Sequence, residues 1–159
     1  MIAGSRDIEE LARLTVDCGF KIHRELGPGL LESVYEAVMA ASLMRQGLTV
    51  ERQKAIDIEY EGIVLREGFR ADLLVDCRLI VELKSIERLA PVHGKQLLTY
   101  LRLAKQPLGL LMNFGGATFR EGVKRVVNNH TDFASSRLRV NQTTRIEIID
   151  PTNETGRDP

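Results

Sequence analysis

Apolar or small residues recur at Ile8, Leu11, Ala12, Thr15, Cys18, Gly19, Ile22 and Leu26. That spacing is one face of a helix, so residues 6–26 are predicted to form an amphipathic α-helix. Gly27-Pro28-Gly29 ends it. A second helix is predicted from near Leu30 to about Gln46, with Val34, Val38, Ala41 and Arg45 on one stripe and Gly47 as its C-terminal stop. The period then changes. Val50 to Tyr60 alternates, Glu61-Gly62 signals a turn, and Ile63 to Arg66 reads as a short return strand. Arg70 to Val75 and Leu79 to Ser85 are two further strands around Asp76-Cys77-Arg78. Pro91 precedes a helix from about His93 to Ala104, whose apolar face is Leu97, Leu98, Leu101 and Ala104. Pro107 breaks it. Leu108 to Phe114 is a short apolar run that reads as a buried strand, Gly122 to Val127 as another, and Arg145 to Ile149 as a late edge strand.

The order α-α-β-β-β-β-α-β-β predicts an α/β chain of the α+β kind, a mixed sheet flanked by helices. The helix at 93–104 joins two strands in a crossover, which makes that part of the sheet parallel and right-handed. Residues 1–127 are expected to form one domain, 128–150 a C-terminal extension and 151–159 a disordered tail, where apolar density falls. A chain of 159 residues is long enough to bury a sizeable core.

Composition removes several functions. Aromatic residues make up 5% and Trp is absent, too few rings for a base-stacking platform. No stretch approaches the ~20 apolar residues of a membrane helix. The N-terminus has no apolar run of a signal peptide, so a cytoplasmic protein with Cys18 and Cys77 as free thiols is expected. Charge is uneven. Residues 1–83 carry 10 Lys/Arg and 15 Asp/Glu, whereas residues 84–145 carry 11 and 3. The basic segment fits a phosphate-facing surface. It equally fits solvated faces that mix with acidic neighbours in space.

The candidate chemistry lies in the strand pair. Side chains at i and i+2 share a strand face, so Ile80, Glu82 and Lys84 point one way and Val81 and Leu83 the other. On the preceding strand Asp72 shares a face with Asp76, and Ala71, Leu73 and Val75 take the opposite one. If Asp76-Cys77-Arg78 closes a hairpin, Asp72 faces Glu82. Two carboxylates so placed repel unless a cation lies between them. A Mg²⁺ ion held by one or two carboxylates and waters suits the arrangement, with the Leu83 carbonyl as a further ligand. Lys84 could then position or deprotonate a water for attack on phosphorus. The competing reading is a cross-strand salt-bridge cluster, Asp72–Lys84 or Arg70–Glu82. His23 and His93 have no zinc-ligand spacing, and the chain has no P-loop, Rossmann fingerprint or serine elbow.

Asp72 with Glu82-Leu83-Lys84 resembles the PD-(D/E)XK nuclease superfamily and its restriction-endonuclease-like core. Gly29-Leu30-Leu31-Glu32-Ser33-Val34-Tyr35 resembles the GxxExxY motif that names one family within it. Ile22-His23-Arg24-Glu25-Leu26-Gly27-Pro28 and Arg70-Ala71-Asp72-Leu73-Leu74-Val75 are similar to its surroundings. The resemblance covers roughly residues 8–127, with Ala71 where the name-giving motif has Pro. It implies Asp72 and Glu82 as metal ligands, Lys84 as the catalytic lysine, and Glu32 as the helical acidic residue reaching the metal directly or through water. Gln96 to Tyr100 resembles the QxxxY motif of RecB-like exonucleases, in which both residues share a helix face. Without the resemblance Glu32 reads as a helix-start residue favoured by the helix dipole, Tyr35 as a packing residue and Gln96 as a surface residue.

The function so implied is a Mg²⁺- (or Mn²⁺-) dependent nuclease acting on DNA or RNA. Arg88, Lys95, Arg102, Lys105 and Lys124, together with Arg120 and Arg125, are candidates to hold the phosphate backbone. A homodimer would let so small a core span a duplex. The alternatives are a non-catalytic nucleic-acid- or protein-binding module on a nuclease fold, and a small-molecule phosphate-ester hydrolase using the same site.

Overall fold

The computed structural model describes residues 6–129 and 146–148, the last three as backbone only. The elements are α1 (Ile8–Leu26), α2 (Glu32–Arg45), β1 (Val50–Tyr60), β2 (Ile63–Val75), β3 (Leu79–Lys84), α3 (Pro91–Ala104), β4 (Leu108–Asn113), α4 (Phe119–Gly122), β5 (Val123–Val127) and β6 (Ile146–Ile148). The six strands form one sheet in sequence order. All neighbours are antiparallel except β3 and β4, which α3 joins in parallel. The expected mixed α+β sheet flanked by helices is therefore present. The segment expected as a tail, residues 151–159, lies outside the described residues, as does most of the expected extension at 128–150.

Alternating side chains send two apolar sets to the two faces of the sheet. Leu73, Val75, Leu79, Val81, Leu83, Leu108, Leu110 and Met112 pack under α1 and α2 against Leu11, Ile22, Tyr35, Met39 and Leu43. Phe69, Leu74, Ile80, Leu111 and Val126 pack under α3 against Leu97, Leu98 and Leu101. α1 buries the stripe its sequence shows. Gly19 lets it come close: a Cβ there would lie 2.5 Å from Phe119 Cζ.

Several expectations need correction. α2 buries Tyr35, Met39, Ala40 and Leu43 rather than the stripe from Val34 to Arg45. Apolar residues encircle this helix, so periodicity does not choose a face. The segments 63–66 and 70–75 are one strand, β2. It spans 13 residues and pairs with β1 along its length, with a register irregularity near Ile58. α3 begins at Pro91, whose missing N–H costs nothing in a first turn. Residues 119–122 turn helically before β5 starts at Val123.

The hairpin register is the expected one: Leu73, Leu74 and Val75 pair with Val81, Ile80 and Leu79. Asp76 and Cys77 both take left-handed backbone angles in the turn. The expectation that Ala71, Leu73 and Val75 share a face fails at one point. Ala71 packs on the α3 side, whereas Leu73 and Val75 pack under α1 and α2. The alternation slips at Asp72. Opposite it on β1, Gln53 has φ +48 and neither residue joins the ladder, although Arg52↔Leu73 and Lys54↔Ala71 pair on either side.

Candidate functional site

β2 and β3 stay paired as far as Leu73↔Val81 and then part. Asp72 is the next residue on β2 and Glu82 the next on β3. The Asp72 side chain replaces the lost strand partner: the Leu83 N–H donates to its Oδ2 at 2.8 Å. The Asp72 N–H in turn donates to Glu82 Oε1 at 3.3 Å. The end of the ladder thus brings two carboxyl groups together beside main-chain donors.

The two carboxyls cannot both ionise comfortably. Burial, and then the negative charge of Asp72, push Glu82 up to about 8. Glu32, half-buried in the first turn of α2, is also pushed up, first by burial and then by Asp72, with Lys84 acting the other way. Glu32, Asp72, Glu82 and Lys84 therefore share one electrostatic neighbourhood. The salt-bridge reading is not what forms. Arg70 pairs with Glu67 at 3.5 Å, and among the described residues neither Asp72–Lys84 nor Arg70–Glu82 is an ion pair.

Among the described residues no three or more His, Cys, Asp or Glu side chains are gathered closely enough to hold a metal ion. Glu32 therefore does not join Asp72 and Glu82 in one tight cluster, because it stands on the helix layer above the parted strands. What is present fits Mg²⁺, which accepts one or two carboxylates and keeps several waters. It does not fit a four-ligand zinc site. The observation behind the fit is the contact of two carboxyls, one of them raised above the usual carboxylate range by burial and by the charge of the other.

Tyr35 is fully buried and stacked on Phe114. Its hydroxyl donates to Gly27 O and accepts from the Leu30 N–H, so it ties the α1–α2 loop together. The Ser85 hydroxyl donates to Leu30 O at 2.7 Å, which fixes the same loop beside Lys84. Gln96 donates to Tyr100 Oη at 2.7 Å along α3, and Tyr100 stacks on Phe69. His93 Nδ1 accepts the Ala90 N–H at the start of α3, a capping role. His23 Nε2 donates to Gly116 O.

The basic candidates divide by position. Arg88 follows β3 and Lys95 is exposed near the start of α3, both at the end of the sheet that carries Lys84. Glu82, Leu111 and Lys124 are paired in a row across β3, β4 and β5. Two strand spacings put Lys124 about 10 Å from Glu82. Arg102 and Lys105 lie at the opposite end of α3, which runs back along the sheet. Arg125 is engaged by Glu9 of α1.

A model of the PD-(D/E)XK nuclease superfamily matches residues 9–126. The chain belongs to this superfamily. The matched stretch runs from the first helix to the fifth strand, so it contains the parted strands and the helices α1, α2 and α3 that flank the sheet. No curated protein and no solved structure matches the chain.

Sequence reasoning missed two residues that contact this candidate site. Glu36 is 5% exposed and accepts from Arg52 Nε at 3.0 Å and from Gln53 Nε2 at 2.7 Å. Gln53 Nε2 also donates to Asp72 Oδ1 at 3.2 Å. Glu36 was signalled by its spacing, one turn after Glu32 on the same helix. Gln53 had no signal, because its left-handed backbone is set by the pairing of β1 with β2.

Proposed function

We propose that this chain is a metal-dependent nuclease that hydrolyses phosphodiester bonds of DNA or RNA at the point where β2 and β3 part. Membership of the PD-(D/E)XK superfamily supports hydrolysis of nucleic acid. The observation that carries the reading is the Asp72–Glu82 contact, in which burial and then the charge of Asp72 push Glu82 up to about 8. Asp72, Glu82 and the Leu83 carbonyl would hold Mg²⁺ or Mn²⁺, with Glu32 reaching it through water. When bound, such an ion polarises a phosphoryl oxygen and lowers the pKa of a coordinated water. Lys84, on the same strand and free of an ion pair among the described residues, orients the attacking water and steadies the charge that develops on the phosphate.

Supporting roles follow from placement. Tyr35 fixes the loop that leads into Glu32, in the manner of a GxxExxY motif. Gln96 and Tyr100, the QxxxY-like pair, brace α3 against Phe69 of β2. Arg88, Lys95 and Lys124 hold phosphates near the site, and Arg102 and Lys105 hold them farther along α3. The unit that acts is residues 1–127, and a cytoplasmic location suits free Cys18 and Cys77. No helix among the described residues is long and apolar enough to cross a membrane. A homodimer would let two such sites grip a duplex. The exposed Tyr60, Ile63 and Leu65 near the tip of the β1–β2 hairpin offer apolar surface for it.

The test is cleavage of linear, circular and single-stranded DNA and of RNA with Mg²⁺ or Mn²⁺, beside Lys84→Ala and Asp72→Ala. Cleavage by the parent protein, abolished by chelation and by both substitutions, is expected. Binding of a substrate without cleavage under any metal would favour a non-catalytic module.

A further inference from the structure

We infer that Gln53 is a positioning residue that locks the Asp72 carboxylate in the orientation the metal site needs. The inference rests on the metal-site reading above and concerns a residue outside the sequence motifs.

Neighbouring residues of a regular strand point to opposite faces. Arg52 and Gln53 break that rule, because both reach Glu36 on α2, Arg52 Nε at 3.0 Å and Gln53 Nε2 at 2.7 Å. The break is made by the backbone of Gln53, at φ +48. A residue with a Cβ and no short polar side chain rarely adopts that region, and such conformations concentrate where a site requires them. Glycine would make the same kink without strain but would supply no amide.

The amide that the kink delivers has two acceptors. One is Glu36 Oε2, and Glu36 is itself buried and anchored by Arg52. The other is Asp72 Oδ1 at 3.2 Å. Asp72 Oδ2 is already fixed by the Leu83 N–H at 2.8 Å. The two Asp72 oxygens thus accept from donors on two different strands, and the carboxylate cannot rotate about its terminal bond without losing one. Glu36 serves as the fixed backstop that keeps the Gln53 amide turned nitrogen-first toward Asp72.

Metal sites depend on such outer partners, whose loss costs about 10- to 100-fold in affinity. The experiment is a Mn²⁺ titration followed by electron paramagnetic resonance on the full chain, for the parent protein, Gln53→Gly, Gln53→Met and Asp72→Asn. Gly relieves the backbone strain, and Met keeps the length and removes the donor. Thermal midpoints are measured in chelator alongside. The expected result is Mn²⁺ binding weakened about 10-fold or more in both Gln53 variants, with the metal-free midpoint of Gln53→Gly unchanged or higher. Parent-like Mn²⁺ affinity in both variants, with Asp72→Asn losing binding, would overturn the role of Gln53 and leave the metal site standing. A Gln53→Gly protein that unfolds, or whose midpoint falls in step with its affinity, would show a purely structural residue and also overturn it. A parent protein that binds no Mn²⁺, or an Asp72→Asn variant that binds as well as the parent, would remove the metal site and this inference together.

Discussion

Glu82 carries the largest electrostatic conflict at the candidate site. In the metal-free protein its carboxyl is raised from an ordinary 4.5 to about 8 by burial and by Asp72. A carboxyl whose folded pKa is raised stabilises the fold fully below its unfolded pKa and loses that contribution as pH rises through the folded value. The window is therefore about pH 4.5 to 8. At about 1.4 kcal/mol per unit, up to ~5 kcal/mol of stability is at stake across it. Urea unfolding in chelator should show stability falling over this range in the parent protein and a flatter profile in Glu82→Gln. A slope unchanged by Glu82→Gln would remove Glu82 as its source. Asp72 and Glu82 were legible from the sequence because strand alternation and a three-residue turn place them opposite each other. Gln53 was not, because its contacts depend on a backbone kink, and Glu36 had only its spacing from Glu32, which does not say which face α2 buries.

At the scale of elements, the site depends on loops being fixed to the ends of parallel strands. Asn113, at the end of β4 and 2% exposed, takes the place of a strand partner for the β3–α3 loop. Its Oδ1 accepts from the Ile86 and Gly115 N–H groups, and its Nδ2 donates to Ile86 O at 2.8 Å. Gly115 is required there, since a Cβ would lie 2.2 Å from Ile86 O. Removing the Asn113 amide leaves several buried main-chain groups without partners, each costly. Asn113→Ala should destabilise the protein by about 2–3 kcal/mol in denaturant unfolding. A change within ~0.5 kcal/mol, the usual size for an inert surface position, would show that the loop holds itself. Periodicity revealed α1, α3 and the buried strands, whose apolar patterns are clear. It misjudged α2, apolar all round, and divided β2, where Glu67-Gly68 resembles a turn but pairing with β1 carries the strand through.

For the whole molecule, the uneven charge of the sequence has a spatial counterpart. Arg88 and Lys95 stand at the site end of the sheet, and Lys124 stands level with Glu82 across two strands. If they hold phosphates, their loss weakens binding alike for all nucleic-acid sequences and lowers its salt dependence. In a cleavage-deficient Lys84→Ala background, Lys95→Ala with Lys124→Ala should reduce the log–log salt slope of DNA binding by about 2. An unchanged slope would return these residues to ordinary solvated surface. Arg125 shows why the linear charge count overstates the basic surface, since it is engaged by Glu9 across the fold.

The central claim is that the parted strands hold a divalent cation. Anomalous diffraction from crystals soaked in Mn²⁺ tests it most directly. The expected result is a peak between the Asp72 and Glu82 carboxylates, next to the Leu83 carbonyl, that disappears in Asp72→Ala crystals. Strong Mn²⁺ peaks elsewhere with none between these two carboxylates would contradict it.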